Sequence, residues 1–313
     1  MPYGVAPAWC FPLAESSLYL LFFFCLYHAW KKGPAAVSYL LGGVLFGILL
    51  EYLEVKMGHY SYGKFWVMLG RYNVVPLCIG IAWGIIMYAG RLLSDRLGLP
   101  LWAAAALDAF LALNIDLSID IVAYRMHMWH WDWTYVAADP LKAQWFGIPF
   151  GNFFGWQMVV FCYSAFSRLI AGVNLRNSSG IIKNALYSFL AIACSLIVLY
   201  VNEALIFRKL AEHGITAAHR VLAMSLLLFV LVIYGWRRRN SSVANLAPVG
   251  WIVPFWFHLL SAGFFFALGF FHENTAMTLA AITNFAIGAF IHALPVIAGN
   301  GNTLRPTLNT PNP

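Results

Sequence analysis

Three aspartates, Asp108, Asp116 and Asp120, lie in an otherwise apolar run from Leu101 to Tyr124 that includes the heptapeptide NIDLSID, Asn114 to Asp120. At about 100° per residue, a helix places them within an arc of about 120° and turns Asn114 away from Asp116. A rise of ~1.5 Å per residue separates Asp116 and Asp120 by about 6 Å in height, and Asp108 and Asp116 by about 12 Å. Only Asp116 and Asp120 can therefore work as a pair. Two carboxyls in apolar surroundings suit acid–base chemistry, because desolvation and mutual repulsion leave one protonated while the other can stay ionised. The protonated group can deliver its proton to a bound substrate, and the ionised one can orient and deprotonate a water. Asp116, the deeper of the two, is expected to be the acid, with Asp120 meeting the water and Glu51 able to stand in for either.

Other polar groups gather at the same height. Glu51 and Glu54 end a second apolar run, and GHYSYG (Gly58 to Gly63), with Tyr60 and Tyr62, follows it. Pro76 opens a third run with Trp83 two or three turns inside it, Asn152 and Trp156 begin a fifth, and Asn202 and Glu203 interrupt a sixth in LYVNEALIF. One cavity collecting Glu51, Tyr60, Tyr62, Trp83, Asp116, Asp120, Asn152, Trp156 and Glu203 is the expectation, with Asp108 on the same acidic face. The connection after Asp120 is dense in tryptophan, including Trp129, Trp131, Trp133 and Trp145. These rings read either as an interfacial belt or as a lid lining a hydrophobic tunnel and stabilising a carbocation, an effect worth about 2 kcal/mol or more per desolvated ring.

The elements that must position these groups are membrane helices. Of the 313 residues, 62% are hydrophobic and only 10% charged, more apolar side chain than a water-soluble fold needs. Apolar runs near 14–30, 35–55, 73–92, 101–124, 149–170, 181–207, 218–236, 247–271 and 276–298 each approach the ~20 residues that cross a bilayer core. An all-α, polytopic bundle of eight or nine spans follows, as a single domain over 1–298 with a disordered tail over 299–313. The first run lacks a basic leader and is followed by Lys31 and Lys32, so it reads as a retained helix. Lys31-Lys32, Arg91/Arg96, Arg168/Arg176/Lys183 and Arg237-Arg238-Arg239 all follow odd-numbered spans. That bias places the N-terminus on the non-cytoplasmic side of the cell membrane. The net charge of +7 needs only anionic lipid as partner, and no feature points to nucleic acid.

A buried Asp costs about 2.5–3.5 kcal/mol in a membrane helix, so the three demand a polar cavity, hydrogen-bonding helices or a transport path. Transporters commonly show repeats and broken helices, and neither is evident here. The pair His127 and His130 is too small a set for a metal, the other histidines are isolated, and the five cysteines are scattered through apolar runs. A prenyltransferase holding Mg²⁺-diphosphate would need a second Asp-rich segment and a basic cradle, yet DLSID stands alone. It remains the alternative, together with a cyclase, which results from the same acid if water is excluded and an internal alkene is presented.

The succession Glu51, GHYSYG, Pro76, Trp83, Asp108/Asp116/Asp120, Trp129-x-Trp131 and WFGIPFGNFFGW (Trp145 to Trp156) resembles the integral-membrane carotenoid biosynthesis family, which includes carotenoid hydratases. The likeness spans about a third of the chain, with GIPFGNFFGW its most specific piece. It implies addition of water across the terminal double bond of a long polyene to give a tertiary alcohol, with no metal, redox cofactor or oxygen. The implied partners are a hydrophobic isoprenoid or carotenoid, membrane lipid and neighbouring enzymes of the carotenoid pathway.

Overall fold

The computed structural model describes residues 6–131, 144–171, 180–239 and 246–301, without the side chains of 171 and 293–301. Trp133, Arg176 and residues 302–313 of the expected tail lie outside the described residues. The helices are α1 (Cys10–Lys32), α2 (Pro34–Lys56), α3 (Leu77–Arg96), α4 (Leu101–Arg125), α5 (Phe150–Ala171), α6 (Ile181–Val201), α7 (Arg208–Glu212), α8 (Ala217–Trp236), α9 (Val249–Ala267) and α10 (Thr275–Gly301). A π-helical turn, Asn202–Phe207, makes α6 and α7 one continuous rod. The chain is an all-α polytopic bundle, and among the described residues eight of the long helices are apolar enough to cross a membrane. The helix outside that set is α4, which carries the three aspartates.

The bundle solves the cost of those acids by placing α4 at its centre, packed on α3, α5, α8, α9 and α10. Asp108, Asp116 and Asp120 are all buried. The outer faces are lipid-like: Phe23, Phe24 and Trp30 on α1, Leu186 and Phe189 on α6, and Leu226 and Phe229 on α8 stay exposed. On the opposite side of α4 from the acid pair, Asn114 and Ser118 bond to Asn284 of α10, and Ser118 also meets His258 of α9 at 2.7 Å. Such interhelical polar contacts fix a helix's rotation in a medium that offers no hydrophobic driving force.

Helix ends depart from the apolar runs for local reasons. The third helix begins at Leu77, since Val75–Pro76 (β3) pairs antiparallel with Met68–Leu69 (β2) before it. The ninth stops at Ala267, because Gly269 adopts φ 77° and turns the chain into a short 3-10 segment. Ser61–Tyr62 (β1) pairs antiparallel with Trp129–His130 (β4), which joins the GHYSYG loop to the segment after α4. Gly63 is required at this junction: its N–H bonds to Met128 O at 2.9 Å, and a Cβ there would stand 2.4 Å from His127 O. The β1–β2 connection is also tied to α1, where buried Glu15 accepts from the N–H groups of Trp66 (2.7 Å) and Val67 (3.1 Å).

Candidate active site

Helices α2 and α3 approach through Gly43 and Gly47 on one and Gly80 and Gly84 on the other, the small-xxx-small arrangement of membrane helix pairs. A Cβ on Gly47 would lie 2.6 Å from Trp83 Cβ, so the indole of Trp83 can lie directly across α2. One turn further along α2, Glu51 meets it: Trp83 Nε1 donates to Glu51 Oε1 at 2.6 Å. The Tyr62 hydroxyl donates to the other carboxylate oxygen at 2.5 Å, and the Tyr60 hydroxyl shares that oxygen. Burial and the adjacent Glu51 carboxylate hold both phenols well above their usual range, which keeps them protonated as donors. The two oxygens of Glu51 are thus the common partner of Trp83, Tyr60 and Tyr62, and hold the three rings in position.

The rings so fixed form an aromatic wall. Trp83 stacks on Trp156 of α5 with centroids 4.0 Å apart, Tyr60 and Tyr62 meet edge to face at 5.6 Å, and Trp131 and Trp129 pack on Tyr60 and Tyr62 respectively at 6.2 Å. Faces of this kind attract a cation once water is excluded. Opposite them stands Asp120. Asn152, in the first turn of α5, donates through Nδ2 to Asp120 Oδ2 at 2.5 Å and to both Asp116 oxygens at 3.2 and 3.4 Å. One amide thus clamps the two carboxyls together, and no Lys or Arg bonds to either among the described residues. Two acids so joined in a low-dielectric setting are accommodated most cheaply with one proton between them.

All of this surrounds one cavity of about 650 Å³ between α2, α3, α5 and α6, roofed by the β1–β4 pair. Its walls include Glu51, Tyr60, Tyr62, Trp83, Asp120, Trp129, Trp131, Asn152, Trp156 and Glu203, together with the aliphatic side chains of Leu50, Ile79, Ile86, Ile119 and Val159. Asp116 is fully buried behind Asn152 and is not part of the wall, so the structure presents the shallower aspartate to the cavity.

Two residues of the expected set lie elsewhere. Asp108 accepts from Arg168 at 2.8 Å and from Ser164 at 2.6 Å, in a buried network that also holds Asp95. The helical arc placed Asp108 on the acidic face, but its level brings it to the end of α5 that carries Arg168. Trp145 packs against Phe146 in the turn before α5, away from the cavity wall.

The cavity also has members that the spacing of acids and tryptophans does not single out. Glu54 and His59 form a 2.5 Å ion pair at its edge, and the hydrogen-bonded Glu54 carboxylate raises the imidazole above its usual value. Arg220, from the first turn of α8, reaches the wall from a helix that is otherwise largely apolar. An isolated Arg in the opening turn of an apolar span was the available signal. Among the described residues no three His, Cys, Asp or Glu are grouped as a metal site would need.

A family model described as carotenoid biosynthesis protein matches residues 16–223, which include every wall residue just named. Neither the curated proteins nor the solved structures gave a match.

Proposed function

Because the chain belongs to the carotenoid biosynthesis protein family, we propose that it hydrates the terminal alkene of a polyene isoprenoid in the α2–α6 cavity. The family places the chain in carotenoid biosynthesis and implies a hydrophobic isoprenoid substrate in a membrane. The observation that carries the finer reading is the Asn152-clamped pair of Asp116 and Asp120 set against the rings of Trp83, Trp156, Tyr60 and Tyr62. A volume of 650 Å³ corresponds to about twenty water-sized groups at ~30 Å³ each, so the site receives the end segment of a long polyene and leaves the remainder in lipid.

In this reading Asp120, as the wall residue, touches the substrate. Its proton passes to the less substituted alkene carbon, the π bond supplies the electron pair of the new C–H bond, and a tertiary cation forms at the neighbouring carbon. The Trp and Tyr faces stabilise that cation. Water attacks it, and the proton that water releases returns to the aspartate pair, which is restored for another turnover. Asp116 serves as the second seat for the shared proton, and Glu51 holds the rings in place.

The test is to express the chain in cells supplied with acyclic or monocyclic carotenoid precursors and extract the pigments. A product heavier by one water, absent with the Asp120→Asn chain, supports hydration. An isomer of unchanged mass would instead indicate cyclisation, and unaltered precursors in every case would count against both.

A further inference from the structure

The three fully buried arginines are matched to carboxylates, and the half-buried Arg220 is not. Arg168 pairs with Asp108 and Asp95, Arg125 grips Glu273 through two bonds of 2.6 and 2.7 Å, and Arg91 meets Asp95 at 3.4 Å. Arg220 has no such partner among the described residues, and its Nε is buried without a hydrogen-bond acceptor. Its guanidinium carbon lies 4.3 Å from the ring centre of Phe207 and 5.5 Å from that of Phe154, two rings that meet edge to face at 4.8 Å. The group is thus held in an aromatic corner of the cavity wall, with no acceptor for its buried Nε. A guanidinium in this setting is costly unless something accepts from it.

We propose that Arg220 is a subsite for a neutral acceptor oxygen, hydroxyl or carbonyl, carried by the isoprenoid segment that occupies the cavity. The inference rests on the reading of the cavity as a polyene site and narrows its substrate class to oxygenated isoprenoids. Charge decides against a phosphate or diphosphate. Glu54 and Glu203 line the same region, and the one other cation there, His59, is engaged by Glu54. A single Arg in a cavity that also holds those carboxylates favours an uncharged acceptor. Arg also suits the task because its planar group stacks on rings while keeping in-plane donors free.

The experiment measures binding, so it does not depend on turnover. Purified protein in phosphatidylcholine nanodiscs is titrated with all-trans-retinol and with its deoxy hydrocarbon analogue, read by quenching of tryptophan fluorescence, which the tryptophans of the cavity wall supply. Wild type is expected to bind retinol at least about 10-fold tighter than the hydrocarbon, the scale of one hydrogen bond to a charged group. Arg220→Leu should bind both alike at the hydrocarbon's affinity, and Arg220→Gln, a second variant against misfolding, should fall between. Equal affinities in wild type, or an undiminished preference in both folded variants, would overturn the subsite while leaving the polyene cavity standing. Failure of either polyene to quench wild type would overturn the cavity reading and the subsite with it. A response to Arg220 substitution that tracks added phosphatidylglycerol and ignores the ligand's oxygen would reassign the residue to lipid headgroups and refute the proposal.

Discussion

Replacing Asp120 with Asn tests the proposed chemistry most directly. The amide matches the carboxyl in size, and its oxygen can still accept from Asn152 Nδ2, which now sits 2.5 Å from Asp120 Oδ2. An amide is also cheaper to bury than a carboxylate, so folding and yield should survive. What disappears is the transferable proton at the cavity wall. General acid catalysis contributes about 10²- to 10⁴-fold, so turnover should fall by at least about 10²-fold, or about 2.7 kcal/mol of barrier. Asp116→Asn should cost less, since Asp116 lies behind Asn152 and Asp120 remains at the wall. The assay incubates precursor polyene with each variant in nanodiscs and quantifies the hydrated product by chromatography, with helix content checked in parallel. Near-normal turnover by folded Asp120→Asn alongside a dead Asp116→Asn would refute the assignment of the wall residue. Full activity in both would make the acids structural.

Glu51→Gln replaces an acceptor-only group with one whose amide nitrogen faces a donor, and should lower stability by about 1–3 kcal/mol, seen as a reduced thermal midpoint. Asp108→Ala leaves buried Arg168 with Asp95 as its remaining carboxylate and should destabilise by up to about 3 kcal/mol, while turnover per folded molecule stays close to wild type; a selective loss of turnover would contradict its separation from the cavity. Gly63→Ala forces a Cβ into His127 O, so hydrogen exchange should quicken at 59–63 and 126–130 and nowhere in α4's centre. The raised His59 means that its ion pair with Glu54 is fully formed below the ordinary histidine pKa and is lost as pH rises through the folded value. Since the pair is partly exposed, the thermal midpoint should drop by under about 1 kcal/mol equivalent across that window in wild type, and show no such step in His59→Gln.

The membrane helices were legible because hydropathy and length act residue by residue along one chain, and the nine long helices among the described residues fall on the nine apolar runs. Much of the site was legible for a similar reason: helix direction sorts residues by depth, so Glu51, Trp83, Asp120 and Asn152 could be placed at one level before any contact was known. Depth does not say which neighbour covers a side chain. Asp108 turned out to be matched by Arg168, sixty positions away in sequence, and Asp116 to be screened from the cavity by Asn152. Glu15 and Arg220 stood alone in apolar spans, and only the packing of α1 on the β1–β2 loop and of α8 on α5 gives them partners or a cavity to face.

The convergence of three donors on Glu51 has a consequence for how this region can vary. Tyr60, Tyr62 and Trp83 come from two different segments, yet each is oriented by the same two oxygen atoms. Removing the carboxylate releases all three, and removing one ring alters the geometry available to the others. Their substitutions should therefore be strongly non-additive, with double-mutant cycles giving coupling energies of about 0.5–3 kcal/mol where independent sites would give none. Over generations the four residues should be inherited or replaced as a block, since a chain that keeps three of them retains the expense of the arrangement without its order.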